Sequence, residues 1–338
     1  MRNTLMALCL AATAALSPIA ASAEKLTFGT GNVIIHPINQ RIFMPWAEEV
    51  NAQAGDTFEV AVRHGPMLVN AQNYVDRITD DIVQIAWGML AFKPGLFPRS
   101  MIAGVPFISG SAEANAMAFC ALHEAGALDE ELGDFVPLFF VPFPQSSAHL
   151  NGGPLTTLSD LGGKKIMVGS PTASTIVSHF GGTPLSIVVP EQYQALSRST
   201  ADGNFMTFTA FPAFNLDEVT TDHLKVPLGG AMGMVFMTRD RYDGLSDEAR
   251  AVIDANRGCD VSREMGKRVD QWEADGKAYV AAQDNHTLND IDPAEFEALR
   301  DELGPVINAN FAERVPGGAE LLEMWAAEME IARAATGE

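Results

Sequence analysis

The chain has 338 residues, 47% of them hydrophobic, which is enough material for two domains with sizeable cores. Its formal net charge of −21 repels phosphate backbones and anionic lipid surfaces, so nucleic acid and a membrane surface are excluded as ordinary partners.

Residues 1–23 read as an export signal: Arg2, an apolar run from Leu5 to Ala15, a break at Pro18, and Ala21-Ser22-Ala23 before a cut in front of Glu24. The run is short for a membrane span, and no later stretch approaches the roughly 20 apolar residues one needs. The mature chain is therefore expected to be periplasmic, without membrane insertion, and a monomer. Cys120 and Cys259 remain after cleavage. Export permits a disulfide, but two cysteines so far apart in sequence are expected to be buried and unpaired.

Lys25 to Phe28 alternates polar and apolar residues, as a half-buried strand does. A loop at Gly29-Thr30-Gly31-Asn32 and a helix start at His36-Pro37 follow, and the helix carries Ile42, Phe43, Trp46, Ala47 and Val50 at helical spacing. Strands are predicted at 58–62, 82–87 and 135–141, with helices at 70–79 and 113–122. This alternation implies an α/β domain with a mostly parallel sheet. Near residues 146–153 the chain is expected to cross into a second α/β domain, and Met232 to Thr238 reads as a strand returning to the first.

From Ser246 to about Asp284 there is no proline, and Ser246 with Asp247 and Glu248 makes a good helix start. A single helix over this stretch would span roughly 55–60 Å and bridge both domains, with Gly258, Gly266 and Gly276 as places where it bends. Helices at 293–312 and 318–335 finish the chain. The expected division places 24–146 plus about 234–265 in the first lobe, and 147–233 plus about 266–338 in the second.

Sites for catalysis and cofactors find little support. Gly29-Thr30-Gly31 after a strand invites a dinucleotide reading, with Glu48 and Glu49 downstream, but Ile34 holds the third glycine position and His36-Pro37 interrupts the helix start. Phosphate-loop, His-Glu-x-x-His, Cys-x-x-Cys and Gly-x-Ser-x-Gly patterns do not occur. The seven histidines are scattered. No cofactor, metal or enzymatic activity is expected.

The run Leu158-Ser159-Asp160-Leu161-Gly162-Gly163-Lys164-Lys165-Ile166-Met167-Val168, continued by Gly181-Gly182-Thr183-Pro184, Pro190-Glu191-Gln192-Tyr193 and Ala201-Asp202-Gly203, reads as loop, strand, helix, strand, helix and turn. It resembles the second-domain signature of the DctP-like solute-binding proteins of tripartite ATP-independent periplasmic (TRAP) transporters. Phe28-Gly29-Thr30, Trp46-Ala47-Glu48-Glu49-Val50, Gly65-Pro66-Met67-Leu68, Asp81 to Ala86 and Val105-Pro106-Phe107 follow that family's order as well. The resemblance implies two lobes with a bridging helix, hinge closure on a small organic solute in the cleft, and delivery to TRAP membrane subunits.

Loops at strand ends are expected to line that cleft: Asn32, His36, Met67 and Trp87 from the first lobe, and Gln145, Ser146, Met167, Asn204, Phe205, Met206 and Thr207 from the second, with Tyr193 and Phe208 beside them. The family usually carries an arginine where this chain has Met167, and thioether replaces the two-pronged carboxylate contact. The pocket thereby loses positive charge and gains aromatic faces such as Trp87 and Phe205, which attract ammonium. A small amine or a neutral polar ligand is one expectation. The other is a carboxylate held by Arg41, Arg63 or Arg198. An ABC-type binding protein, which lacks the bridging helix, and a periplasmic enzyme are the wider alternatives.

Overall fold

The computed structural model describes residues 24–338, so the export signal read at 1–23 lies outside the described residues. The first lobe is built on a five-stranded sheet ordered β2-β1-β3-β10-β4. Its strands are Glu24–Thr30 (β1), Phe58–His64 (β2), Ile85–Met89 (β3), Phe135–Phe143 (β4) and Ala231–Thr238 (β10). The second has six strands ordered β11-β9-β5-β8-β6-β7. These are Ser147–Leu150 (β5), Lys165–Met167 (β6), Thr183–Leu185 (β7), Gly203–Met206 (β8), Asp222–Lys225 (β9) and Thr287–Asp290 (β11).

Each sheet is parallel except for one strand: β10 runs against β3 and β4, and β5 runs against β8 and β9. Those two are the strands that have just crossed between lobes, β4 leading into β5 and β9 into β10. The crossings are fastened to each other, because Ser146 N donates to the Gly229 carbonyl at 2.8 Å and Leu228 N to the Ser146 carbonyl at 3.0 Å. β3 starts later than the apolar run suggests. Asp81 adopts a left-handed backbone (φ 53°), and the Ile82 and Val83 amides turn back to the Arg77 carbonyl.

The helices are Met44–Ala54 (α1), Tyr74–Thr79 (α2), Ala112–Glu124 (α3), Asp129–Leu132 (α4), Pro171–His179 (α5), Val189–Ser197 (α6), Phe211–Phe214 (α7), Arg239–Asp243 (α8), Asp247–Ala255 (α9), Cys259–Ala281 (α10), Pro293–Arg314 (α11) and Gly318–Thr336 (α12). The run from Leu158 to Gly203 therefore folds as read, β6-α5-β7-α6-β8, with Ser170 capping α5 through the Ala173 amide at 3.1 Å.

Three expectations change. The single helix of nearly 40 residues is two helices: Gly258, at φ +99°, ends the turn after α9, and α10 has 23 residues, about 35 Å. α10 still bridges the lobes, packing on α3 and β4 of the first and on the 208–210 turn of the second. Cys120 and Cys259 are joined, because the break delivers Cys259 to the C-terminal part of α3 with a Cα–Cα distance of 5.6 Å. Finally, α12 lies along α3, on the first lobe rather than the second, with Arg333 donating to the Ser109 carbonyl at 2.7 Å and Trp325 fully buried.

Candidate ligand-binding cleft

The loop after β1 is held from inside. Asn39, fully buried, donates to the Val33 carbonyl at 2.7 Å and the Asn32 carbonyl at 3.2 Å, and accepts from Thr30 Oγ1 at 3.1 Å. The Gly65 amide donates to the Asn32 carbonyl at 2.9 Å, tying the loops after β1 and β2 together. Asn32 is thus held in the loop through its backbone carbonyl. Met67, in the second of these loops, is 96% exposed, and Val33, Ile34 and Ile35 in the first are exposed as well.

His36 and Trp87 belong to an aromatic belt. Ring centroids follow one another from Phe43 to Trp87 (5.1 Å), Phe143 (6.4 Å), Trp272 (6.2 Å), His36 (6.1 Å) and Phe214 (5.8 Å). The belt starts in the first-lobe core, passes over α10 at Trp272 and ends on α7 of the second lobe. Burial pushes the His36 imidazole down to about 4, so the ring is neutral at pH 7. Its Nδ1 accepts from the Ile38 amide at 3.2 Å, which leaves the hydrogen on Nε2.

Gln145 and Ser146 lie on the crossing from β4 to β5 between the lobes. Gln145 Oε1 accepts from the Gly229 amide at 2.8 Å, while its Nε2 is buried without a protein partner. Met167 is fully buried. Paired in register with Asn204, it faces α6 among Leu196 and Phe208. Asn204 donates to Gln192 Oε1 at 2.8 Å, and its Oδ1 is buried and unpartnered. Phe205 alternates to the other face of the sheet and belongs to the buried core cluster that also holds Leu150, Ile166 and Ala173.

Met206 and Thr207 stand at the end of β8. Phe208 is fully buried, stacked on Phe211 at 5.3 Å, with the Lys277 ammonium 5.9 Å over its ring. Tyr193 lies apart, its hydroxyl donating to Glu218 at 2.7 Å. Of the arginines considered, Arg41 is tied to Asp275 at 2.6 Å, and Arg63 and Arg198 are exposed.

Sequence reasoning missed three features. Glu273 on α10 accepts from the Thr209 amide at 2.9 Å, and burial raises its carboxyl against the pull of Lys277. Its only sequence signal is an acid within an otherwise core-facing helix stripe. His149, His223 and His286, 74 and 63 residues apart, form a hydrogen-bonded file. Arg314, at the end of α11, lines an open cavity of about 620 Å³ with Val168, Gly169, Ser170 and Ser186, just beyond Met167.

Two α/β lobes, joined by paired crossings and a bridging helix with an aromatic belt between them, define a two-lobed solute-binding protein. Residues 31–314 match the model of the family described as bacterial extracellular solute-binding protein, family 7, and the chain belongs to that family. It is similar to the 2,3-diketo-L-gulonate-binding periplasmic protein YiaO of Escherichia coli K12, 26% identical over 178 residues. That match covers 50% of this chain and spans about half (51%) of the relative.

Among solved structures, a marine metagenome TRAP solute-binding protein described as specific for aromatic acids, bound to 3-hydroxybenzoate, superposes with a TM-score of 0.85 at 23% identity, over 92% of this chain and 99% of that one. A TRAP solute-binding protein of Rhodoferax ferrireducens T118 with benzoate gives the same TM-score of 0.85, at 23% identity and with 92% and 99% covered. One from Bordetella bronchiseptica with bound mandelate gives 0.77 at 23% identity, over 91% and 99% of the two chains. At these identities they establish the shared fold. Among the described residues no helix is long and apolar enough to cross a membrane.

Proposed function

We propose that the chain is a periplasmic receptor that captures a small ring-bearing organic solute between its lobes and delivers it, as a monomer, to the membrane subunits of a TRAP transporter. The carrying observation is the aromatic belt from Trp87 through Trp272 to Phe214. Its apolar rings span both lobes, with Trp87 and Trp272 buried and Phe143, His36 and Phe214 half-buried, and its one titratable member, His36, is neutral. Faces of this kind hold an aromatic ring by offset or edge contacts, or an ammonium group by its attraction to the ring face. An amine or a neutral solute suits the belt itself. The ligands of the structural neighbours, 3-hydroxybenzoate, benzoate and mandelate, support the ring, and each of them is also a carboxylate.

A second reading of the charge has its own observation. Arg314, beside Ser170 and Ser186 in the cavity beyond β6, supplies a guanidinium for a carboxylate where Met167 supplies none. Thermal shift with benzoate, benzylamine, benzyl alcohol and the aliphatic acid succinate tests both. Ring compounds are expected to stabilise and succinate is not; stabilisation by succinate alone would overturn the ring reading. If benzoate is the stabiliser, Arg314→Gln should remove its effect. Delivery is tested by uptake of the stabilising compound in cells carrying the membrane subunits with and without this chain.

A further inference from the structure

Three histidines from separate segments stand in one file across the second lobe. His149 is on β5, His223 on β9, and His286 in the turn before β11. His149 Nε2 lies 3.0 Å from the Met206 carbonyl oxygen, His149 Nδ1 lies 2.8 Å from His223 Nδ1, and His223 Nε2 lies 2.9 Å from His286 Nδ1. The first two rings are fully buried, and the third is half-buried.

The carbonyl fixes every hydrogen in the file. A carbonyl oxygen only accepts, so His149 Nε2 carries its hydrogen, and in a neutral ring Nδ1 is then bare. His223 must therefore donate from Nδ1, which leaves its own Nε2 bare. His286 must donate to it from Nδ1. The single ring nitrogen of the file left without a partner is His286 Nε2, at the solvent end.

An added proton on either buried ring would set two N–H groups against each other or strand one of them. Burial and the charges of the neighbouring imidazoles hold His223 down to about 2, and burial holds His149 to about 4. A proton on His286 Nε2 breaks nothing. It makes the Nδ1–H a charge-assisted donor, and hydrogen bonds in a chain polarise one another.

Other charges around the file are already engaged. Asp222, next to His223, accepts from the Thr221 and Thr287 hydroxyls, and Asp217 and Glu218 accept from Tyr279 and Tyr193. From α10, Lys277 sits over the Phe208 ring and pairs with Glu273, and Phe208 and Phe211 wall the two buried rings. Asp284, in the same turn as His286, is exposed.

We propose that His286 Nε2 is a proton-binding site, and that His286, His223 and His149 relay its occupancy to the Met206 carbonyl at the cleft end of β8. That carbonyl precedes the Thr207–Thr209 run which Glu273 fastens to α10, so the relay ends where the second lobe meets the bridging helix. The proposal goes beyond the receptor function and does not depend on the ligand.

The test uses the ligand-free mature chain, isotope-labelled. Long-range proton–nitrogen spectra should find hydrogen on Nε2 of His149 and on Nδ1 of His223 and His286. Across a pH series the Met206 carbonyl carbon shift should follow proton occupancy of the His286 ring, read from its own ring resonances in the same spectra. His286→Gln still donates to His223 from its amide but does not titrate, so the Met206 response should vanish while the fold remains. His223→Leu should cut the response while His286 still titrates. If that variant does not fold, His286→Gln decides alone. The reverse tautomer at His149, a Met206 carbonyl unmoved while His286 titrates, or an identical response in His286→Gln would each overturn the relay.

Discussion

Gly276 of α10 stands against the Phe208 carbonyl so closely that a Cβ on it would lie 2.3 Å from the oxygen. Gly266, ten residues earlier and roughly 15 Å along the axis, stands the same way against the start of α3, where a Cβ would lie 2.7 Å from the Ala112 oxygen. A carboxylate accompanies each contact. Asp270 accepts from the Ala112 and Glu113 amides at 2.8 Å each, and Glu273 accepts from the Thr209 amide at 2.9 Å. The bridging helix therefore grips each lobe backbone to backbone, with an acid beside each glycine.

Gly276→Ala should destabilise the protein. Within a helix the change normally gains up to about 1 kcal/mol, but here the methyl meets backbone, and overpacking costs about 1–3 kcal/mol. The net expectation is a loss of roughly 1–2 kcal/mol, read as a lower urea midpoint at unchanged slope. Gly304→Ala on α11 is the contrast: its Cβ would meet only Arg300 Cγ at 4.0 Å, so the helix gain should stand and the midpoint should rise. A higher midpoint for Gly276→Ala would refute the close contact.

The Cys120–Cys259 bond pins the first turn of α10 to α3 across a sequence separation of 139 residues. Closing a loop that long in the unfolded chain is worth about 2–5 kcal/mol. The double variant Cys120→Ala, Cys259→Ala should lose that amount, and reduction of the natural chain should lower its melting temperature similarly. A thiol count on the denatured, unreduced chain that begins at Glu24, and so lacks Cys9, should return none; two free thiols would contradict the pairing.

Local patterning carried most of the lobe architecture. The β6-α5-β7-α6-β8 run was readable because each short element is bounded by Gly or Pro, and because Ser170 caps its helix. The break in the long helix was not readable, since Gly258 looked no different from Gly266 and Gly276; only the tertiary contacts reveal that the first ends a turn while the others admit a backbone. The disulfide depended on that break. In the cleft, Trp87 and His36 emerged from strand ends, but Phe143, Trp272 and Phe214 did not, because they come from a lobe crossing, a bridging helix and a short turn that share no sequence pattern. Phe205 is a strand-end residue by sequence, but side chains alternate along β8 and its ring falls on the face that packs into the buried core.

Phe214→Ala isolates the second-lobe end of the belt. Its ring is half-buried and meets His36 edge-on at 5.8 Å, so its loss opens little core and removes one aromatic wall. An aromatic contact of this kind is worth about 0.5–1.5 kcal/mol beyond area, so affinity for whichever ring compound stabilises the wild type should fall about 3- to 10-fold. Stability should change little. Calorimetric titration measures the first and thermal melting the second; unchanged affinity would remove Phe214 from the site.

Acid should weaken the fold through His36. Its native ring refuses a proton until about pH 4, whereas an unfolded histidine takes one near 6.5. Between those values the unfolded state binds more protons, so stability present above about pH 6.5 is lost as pH falls through 4. At 1.36 kcal/mol per unit the loss is on the order of 3 kcal/mol. Burial raises the carboxyls of Glu131, Asp270 and Glu273, which works in the opposite sense, so the total curve mixes both. His36→Asn separates them: its carbonyl oxygen still accepts from the Ile38 amide, and it does not titrate. Urea midpoints measured from pH 7.5 to 4.5 should fall less steeply in the variant than in the wild type. Parallel curves would mean that the His36 ring takes up its proton without cost in the folded protein, and that the belt is wetter than its burial indicates.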